Sequence, residues 1–411
     1  ASLLGSVLGG LWCDLRGPRP AAAAGVGLTV AGLVLSGLAG HFWVFTAGRA
    51  VTGLGGGFVI VAVYVVIGQA YPQKLQPVVF GWMAAAWVVP SLVGPLAAGL
   101  VAQYLSWRLV FYGVAPLVLA ATLAVWPGIR RLGVRQGPAP GTEPAPGGRR
   151  RALRGLALSG GVLLAQWAAY GAAAGAGASL YVLAAAGAVL ALAALPGLMP
   201  AGILRLRRGL PSVVLTRAAI NVAFFGAEAF IPLMLVASHG MEPATAGLTL
   251  TAGALGWSIG SFLQAKAGRR RHRLLVLGPG LLAACLALLV PASGPQVPFW
   301  GLAAVWALAG LAMGLALSTT SVLILKLSAP AEQGRNSSSL QLADQLGGVV
   351  GTAGAGGLFR LLHHPGGAAD SGVYAAIWLV LAAFAAAGLY TGLRSSPRRP
   401  EAATKEEIRS V

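Results

Sequence analysis

Charged residues are scarce in this chain of 411 residues. They make up 9% of the sequence, against roughly 25% in an average soluble domain, whereas apolar residues make up 57%. A water-soluble protein of this length cannot bury so much apolar surface in one core, and a disordered chain would be far more polar. The composition therefore excludes a soluble enzyme and predicts an all-α polytopic membrane protein.

Cysteines and nucleotide-binding motifs are also lacking. The two cysteines, Cys13 and Cys285, lie far apart in the sequence, so they form neither a disulfide framework nor a metal-binding pattern. No lysine follows a glycine, which excludes the glycine-rich phosphate loop of nucleotide hydrolases. We therefore expect no enzymatic activity, no cofactor and no metal site.

Long apolar runs make up most of the chain, and each is long enough for a helix of about 20 residues that crosses a bilayer. They lie near 21–39, 43–68, 77–103, 109–126, 155–175, 179–199, 213–236, 244–264, 274–291, 298–325, 338–361 and 373–393. A further run at 1–13 is too short to span. We interpret it as part of a helix that the N-terminus of this chain cuts.

The net charge of +19 is explained by membrane topology rather than by nucleic-acid binding. If each run crosses once and residues 14–20 are cytoplasmic, the basic residues concentrate in cytoplasmic segments, as the positive-inside rule requires. The exceptions are Arg108 and Arg360 in outer loops and Arg49 and Arg217 within spans. We expect a multi-pass protein of a bacterial inner membrane with a cytoplasmic C-terminus and no nucleic-acid partner.

The stretch 127–154 is rich in Pro, Gly and Arg, which predicts a flexible cytoplasmic linker. This linker divides the chain. The predicted segments are an N-terminal half at 1–126, the linker at 127–154, two further helices at 155–199, a C-terminal half at 200–394 and a cytoplasmic tail at 395–411.

A charged loop follows the first apolar run, at the cytoplasmic end of its helix. It contains Gly10, Asp14, Arg16, Gly17 and Arg19. It resembles the GxxxDRxGRR loop between the second and third helices of the major facilitator superfamily, although Leu15 and Pro18 stand where that family usually has arginine. The resemblance implies a gating loop.

Two later spans extend the resemblance. Arg49, Gly53 and Gly55 are similar to the RxxxGxG pattern of the family's fourth helix, and Arg49 lies about 10 Å inside its span. A further span resembles the packing motif of the fifth helix in the family's antiporters, although Pro90 and Ala98 depart from it. The matching residues of that motif are Gly81, Gly94, Pro95 and Gly99.

The order of these motifs implies that the family's first helix is missing from this chain. The sequence then resembles the 14-helix drug:proton antiporters, a fold of two six-helix halves with two inserted helices. About 13 helices would be present here, the first of them partial. The resemblance implies a carrier that works by alternating access and functions as a monomer.

Only two acidic residues, Glu228 and Asp344, lie within the predicted spans. Asn221 shares a helix face with Glu228, and Gln341 and Gln345 share one with Asp344. A carboxyl group in a low-dielectric site can bind and release a proton near neutral pH, as a proton-coupled carrier requires. We therefore expect Glu228 and Asp344 to couple to protons, and the three amides to line the substrate cavity.

Arg49 is the third residue that we assign to proton coupling. Counted by helical rise, Glu228 lies about 12 Å from the outer end of its span, a depth similar to that of Arg49. The resemblance implies that both helices line the central cavity. We therefore predict that Glu228 is the main protonation site within the field of Arg49, and that Asp344 has a smaller role.

The sequence as a whole predicts a secondary active transporter that resides in a lipid bilayer. We expect it to exchange protons for a small hydrophobic or cationic drug or antibiotic. One alternative is a carrier of the same fold for a metabolite such as a sugar, an amino acid or a siderophore. Another is a membrane sensor or assembly protein that transports nothing.

Overall fold

The computed structural model describes residues 1–86, 101, 104–131, 147–173, 177, 179–268, 271–294, 297–363 and 371–396. Within these ranges the chain forms α-helices joined by short turns and contains no strand, which confirms the predicted all-α architecture. Nine of the described helices are long and apolar enough to cross a membrane. The predicted tail lies outside the described residues from residue 397 onward.

Each described helix corresponds to one predicted apolar run, with ends that differ by up to seven residues. They are α1 (Ser2–Arg16), α2 (Pro18–Gly37), α3 (Phe42–Ala70), α4 (described over 76–86), α5 (Trp107–Arg131), α6 (Gly148–Ala173), α7 (Ser179–Ala194), α8 (Leu210–His239), α9 (Pro243–Ala265), α10 (Arg271–Leu289), α11 (Phe299–Lys326), α12 (Gln333–Leu362) and α13 (Ser371–Leu393). The short run at the N-terminus is α1.

The predicted flexible linker at 127–154 differs from the structure at both ends. Helix α5 continues to Arg131 and α6 begins at Gly148, while residues 132–146 lie outside the described part of the chain. Pro127 is accommodated inside α5. The arginines that follow the apolar run of α5 and precede that of α6 therefore extend these helices, as good helix formers can.

Glycine and proline set the sharp turn between α1 and α2. Gly17 adopts φ 84°, a conformation that a residue with a Cβ rarely takes, and Pro18 then occupies the first turn of α2. The turn lets two antiparallel helices follow one another with one residue between them. We call the end of the bundle where α1 ends and α12 begins the linker face, and the opposite end the far face.

Glycines bring neighbouring helices into backbone contact in both halves. A Cβ on Gly256 or Gly260 of α9 would overlap the carbonyl oxygen of Ala307 or Leu311 on α11. In the N-terminal half, a Cβ on Gly57 of α3 would lie 2.5 Å from the carbonyl oxygen of Ser2 on α1. Close approach of this kind stabilises helix pairs in lipid, where the hydrophobic effect does not drive helices together.

The two halves meet around a central space. Helices α1 and α3 of the N-terminal half face α8, α11 and α12 of the C-terminal half. The largest cluster of buried apolar residues belongs to the C-terminal half and includes Phe224, Trp306 and Trp378. Helices α6 and α7 pack on each other and lie against α1.

Candidate functional site

A cavity of about 690 Å³ lies between the two halves, a size that suits a small organic molecule. Residues of α1, α3 and α4 form one side of it, and residues of α8, α9, α11 and α12 form the other. Most of its wall is apolar, and its polar groups come chiefly from α8 and α12. The cavity is the best candidate for a binding site in the described part of the chain.

The cavity brings together five residues that the sequence assigns to the site. Both acids of the spans and all three amides line it: Asn221, Glu228, Gln341, Asp344 and Gln345. Asn221 and Glu228 come from α8, and the other three come from α12. The helical spacing that placed each set on one face therefore also predicts which residues share the cavity.

An ion pair between Arg217 of α8 and Asp344 of α12 forms part of the cavity wall. The Nε atom of Arg217 donates to Oδ1 of Asp344, and its Nη2 atom donates to Oδ2 at 2.6 Å. Asn221 donates to the same Oδ1 atom at 2.9 Å. The Arg217 side chain is 3% exposed and that of Asp344 is 20% exposed. This two-pronged pairing satisfies a carboxylate in a poorly hydrated site.

The rest of the Arg217 guanidinium is also hydrogen-bonded. Its Nη1 atom donates to the Leu317 carbonyl oxygen at 2.6 Å and to the hydroxyls of Thr320 and Ser321 at 2.9 Å and 3.0 Å. Its Nη2 atom donates to the hydroxyl of Tyr64 on α3 at 3.3 Å. One buried cation thus links α8, α11 and α12 and reaches across the cavity to the N-terminal half.

The sequence analysis placed Arg217 inside a span but assigned it no role in the site. A signal was present, because Arg217 lies four residues before Asn221 and therefore on the same helix face. Tyr64 and Ser321, which bond to each other at 3.0 Å, gave no comparable signal. Tyrosine and serine are common in apolar helices, so only the tertiary structure singles these two out.

Glu228 has a different environment from Asp344. Its carboxyl group has no hydrogen-bond or ion-pair partner among the described residues. The cavity wall in its part of α8 and the facing part of α9 is aromatic and includes Phe224, Phe225 and Trp257. Phe224 and Trp257 meet edge to face, with ring centroids 5.5 Å apart. An unpartnered acid beside aromatic rings can bind a proton or an organic cation.

Arg49 does not line the cavity with Glu228. It is exposed near the far end of α3, and its guanidinium carbon lies 5.6 Å from the centroid of the Phe111 ring on α5. Counting residues along the helix predicts how deep Arg49 lies in the membrane, but it does not predict the direction of the Arg49 side chain. Arg217 is the arginine that contacts an acid in the cavity, and that acid is Asp344. An effect of Arg49 on Glu228 stays a prediction.

The predicted gating loop holds the end of α1 against the start of α12 at the linker face, and its gating role stays a prediction. Both carboxylate oxygens of Asp14 accept bonds from backbone N–H groups in the first turn of α12, Gly334 and Arg335, each at 2.7 Å. These N–H groups lack partners within their own helix, and the helix dipole favours a negative charge there. A Cβ on Gly10 would lie 2.6 Å from the Gly334 carbonyl oxygen, so only glycine permits this contact.

The remaining motif residues occupy separate places. Arg16 is exposed, with its guanidinium carbon 5.8 Å from the centroid of the Trp12 ring, and Arg19 is half-buried in the first turn of α2. Gly81 of α4 approaches α9, since a Cβ there would lie 3.3 Å from the Ser261 carbonyl oxygen. The other residues of the predicted antiporter motif, Gly94, Pro95 and Gly99, lie outside the described residues.

Two helical halves that enclose a largely apolar cavity with a few charged and amide groups in its wall define a polytopic membrane carrier. The chain belongs to the Major Facilitator Superfamily, whose profile matches residues 1–352 and 213–410. Members of this family are transporters rather than enzymes, which agrees with the prediction from the sequence.

Individual relatives and solved structures resemble this chain over most of its length. The chain is 26% identical over 395 residues to a probable multidrug-efflux transporter of Mycobacterium tuberculosis, covering 91% of this chain and 81% of that protein. Its fold is similar to that of the human organic anion transporter MFSD10, with a TM-score of 0.68, 15% identity and coverage of 95% and 80%. It is also similar to a bacterial homologue of the iron transporter ferroportin, with a TM-score of 0.65, 12% identity and coverage of 97% and 88%.

Proposed function

We propose that this carrier exports small hydrophobic or cationic compounds in exchange for protons, and that Glu228 is the group that exchanges a proton for the cation. The observation that carries the proposal is the contrast between the two acids of the cavity. Asp344 is neutralised by Arg217, whereas Glu228 has no partner among the described residues and lies on an aromatic part of the wall. The distant similarity to a multidrug-efflux transporter supports the same substrate class.

The proposed exchange follows from the charge of the cavity. The Arg217–Asp344 pair contributes no net charge, so the protonation of Glu228 sets the charge that a ligand meets at the described wall. A protonated Glu228 leaves the cavity neutral, and an ionised Glu228 attracts a cation that aromatic faces also favour. A proton and a cation therefore compete for the same carboxyl group, which is the requirement for exchange.

The orientation of the carrier follows from its arginines. The linker face bears Arg16, Arg150, Arg205, Arg207 and Arg208, and the positive-inside rule assigns such a surface to the cytoplasm. In this orientation Asp14 closes the cytoplasmic end of the cavity. We propose that the protein resides in a bacterial inner membrane and that the 14-helix antiporters are its nearest class.

Proton release on binding tests the function directly. Ethidium, a lipophilic cation, is added to the purified protein in weakly buffered detergent, and a pH indicator reports the protons released. We expect release from the unmodified protein and at least roughly tenfold less from Glu228→Gln, because release requires a group whose protonation differs between the free and bound states. Glu242→Gln is the matched control, because it makes the same substitution at an exposed acid outside the cavity, and it should retain the release.

Two results would contradict this proposal. Undiminished release from Glu228→Gln would show that the exchanged proton resides elsewhere. Ethidium binding without any proton release from the unmodified protein would show that binding of this cation is not coupled to protons. Glu228→Asp, which keeps the acid and shortens it by one methylene, should restore part of the release.

A metabolite carrier is the second candidate function. The amides of Asn221, Gln341 and Gln345 line the cavity and are side chains that can bind the hydroxyl groups of a sugar. In this case ethidium would neither bind nor release protons, and a panel of sugars and amino acids would produce the binding signal. Both measurements use the same purified protein.

A further inference from the structure

The helix pair α6–α7 lies outside the cavity, across the seam where α1 of one half meets α12 of the other. No described residue of the pair lines the cavity. A buried apolar cluster instead joins Leu3 and Val7 of α1, Leu158 of α6, Ala191 of α7 and Leu342 of α12. The pair therefore packs on both halves of the carrier.

A polar junction fastens the base of this pair to α12. The Nη2 atom of Arg151, in the first turn of α6, donates to the carbonyl oxygens of Leu198 and Arg335, each at 3.1 Å. Leu198 follows α7 and is fully buried, and its carbonyl oxygen also accepts a bond from the Ser339 hydroxyl at 2.7 Å. The junction thus connects the start of α6, the end of α7 and the first two turns of α12.

This junction adjoins the contact between Asp14 of α1 and the first turn of α12. Arg335 accepts the bond from Arg151 through its carbonyl oxygen. Its backbone N–H group is also one of the two that donate to the Asp14 carboxylate. Opening the cavity at the linker face requires α1 and α12 to separate. Because α6–α7 packs on both helices, that separation must also break contacts of the pair with one of them.

We propose that α6–α7 is a brace that holds α1 against α12, and that Arg151 is the positioning residue that fastens the brace to α12. A hydrogen bond from a charged donor to a carbonyl oxygen is stronger than a neutral one, so Arg151 favours the closed linker face. The proposal concerns the equilibrium between open and closed states. It does not depend on which compound the carrier transports.

Cysteine labelling in lipid nanodiscs measures this equilibrium without a transported substrate. The reporter is Ser338→Cys, because Ser338 is fully buried at the seam and its hydroxyl has no hydrogen-bond partner among the described residues. Cys13, which is buried among α1, α2 and α3, is replaced by alanine so that it does not react. The native Cys285 is kept as an internal control, since it is buried in the core of the C-terminal half. Mass spectrometry then quantifies maleimide labelling at each thiol.

Arg151→Gln should increase the labelling rate of the reporter on the order of tenfold, because it removes a charged donor that holds the closed state. Arg150→Gln is the matched control, since it removes the same charge from an exposed neighbour on the same helix. It should leave the rate unchanged. Arg151→Lys retains the charge and the donors and should lie closer to the parent than Arg151→Gln.

Equal reporter rates in Arg151→Gln and Arg150→Gln would overturn the proposal. Faster labelling of Cys285 together with the reporter would also overturn it, because it would indicate a loosened fold rather than an opened seam. If Arg151→Gln does not fold, Ser339→Ala takes its place, since it removes the second bond to the Leu198 carbonyl oxygen with little change in volume. A faster reporter in that variant supports the brace, and an unchanged rate contradicts it.

Discussion

The two sides of the cavity differ in chemistry. Among the described residues, the C-terminal half supplies every charged side chain of the wall, namely Arg217, Glu228 and Asp344. The N-terminal half supplies a smooth face of α3, composed of Gly53, Gly56, Gly57 and Ile60 and ending at Tyr64. One half therefore carries the polar chemistry, and the other presents a surface over which a ligand can lie without specific contacts.

The polar site also includes residues of α11, the most buried of the described spans. In the most apolar segment of α11, 78% of the residues are buried, against 6% in that of α5. Close packing of α11 brings hydrogen-bond partners to Arg217. A buried arginine requires such partners, because without them it would be very costly in a dry site. Helices α8, α11 and α12 thus provide a fixed polar site. The described N-terminal half meets this site through the hydroxyl of Tyr64 on α3 and through Ser2 and Ser6 of α1, which bond to Gln345.

The largest expected effect on stability comes from removing the charge of Arg217, the cation of the polar site. Arg217→Met should lower the free energy of unfolding by about 3–5 kcal/mol, because it leaves Asp344 without its counter-charge. Six hydrogen bonds from the guanidinium disappear with it. Thermal unfolding in detergent gives the measurement.

The double variant Arg217→Met with Asp344→Asn provides the control for this prediction. It removes both charges, so we expect it to recover part of the lost stability relative to Arg217→Met alone. If the double variant is no more stable than Arg217→Met, then Arg217 does not stabilise the protein through its charge pairing with Asp344.

Two adjacent glycines of α3 test how tightly the helices of the N-terminal half are packed. A Cβ on Gly57 would lie 2.5 Å from backbone atoms of Ser2 and Ser6, whereas a Cβ on Gly56 would meet nothing within 4 Å. Gly57→Ala should therefore destabilise the protein by about 1–3 kcal/mol through overpacking of α1 against α3. Gly56→Ala should be neutral or slightly stabilising, because alanine favours the helix.

Thermal unfolding of both variants checks this prediction. Equal effects at the two positions would mean that α1 and α3 can move apart to accept the extra methyl group. The contact between α1 and α3 would then be loosely packed. The two halves would differ in packing as well as in chemistry.

The smallest expected effect concerns the hydroxyl of Tyr64, one of the groups that join the halves. Tyr64→Phe removes the bonds to Arg217 and Ser321 and leaves the ring in place. We expect a loss of about 0.5–1.5 kcal/mol, the usual net contribution of one hydrogen bond. Ser321→Ala, which removes the other hydroxyl of the same contact, is the matched variant. Each hydroxyl also accepts a bond from Arg217, so a larger loss in Tyr64→Phe than in Ser321→Ala would indicate that the bond between the halves contributes more than the bond within the C-terminal half.

Several parts of the site could be predicted from the sequence for definite physical reasons. Acids are so rare in apolar helices that Glu228 and Asp344 stood out, and helical periodicity gave their polar neighbours. Asp14 was recognisable because it lies at the end of an apolar run beside Gly17. The partner of Asp14 was not, since backbone N–H groups of a helix more than 300 residues away leave no mark in side-chain composition.

The class of protein and its helices can be predicted from the amino-acid sequence alone. Long apolar runs must form helices in a bilayer, because unpaired backbone groups have no water to bond there, and the scarcity of charge left few residues to choose between. Only the tertiary structure decided which charges meet. Depth along a helix can be counted, but the direction of a side chain depends on the packing of that helix against its neighbours. For this reason Arg217, rather than Arg49, is the arginine that pairs with an acid of the cavity.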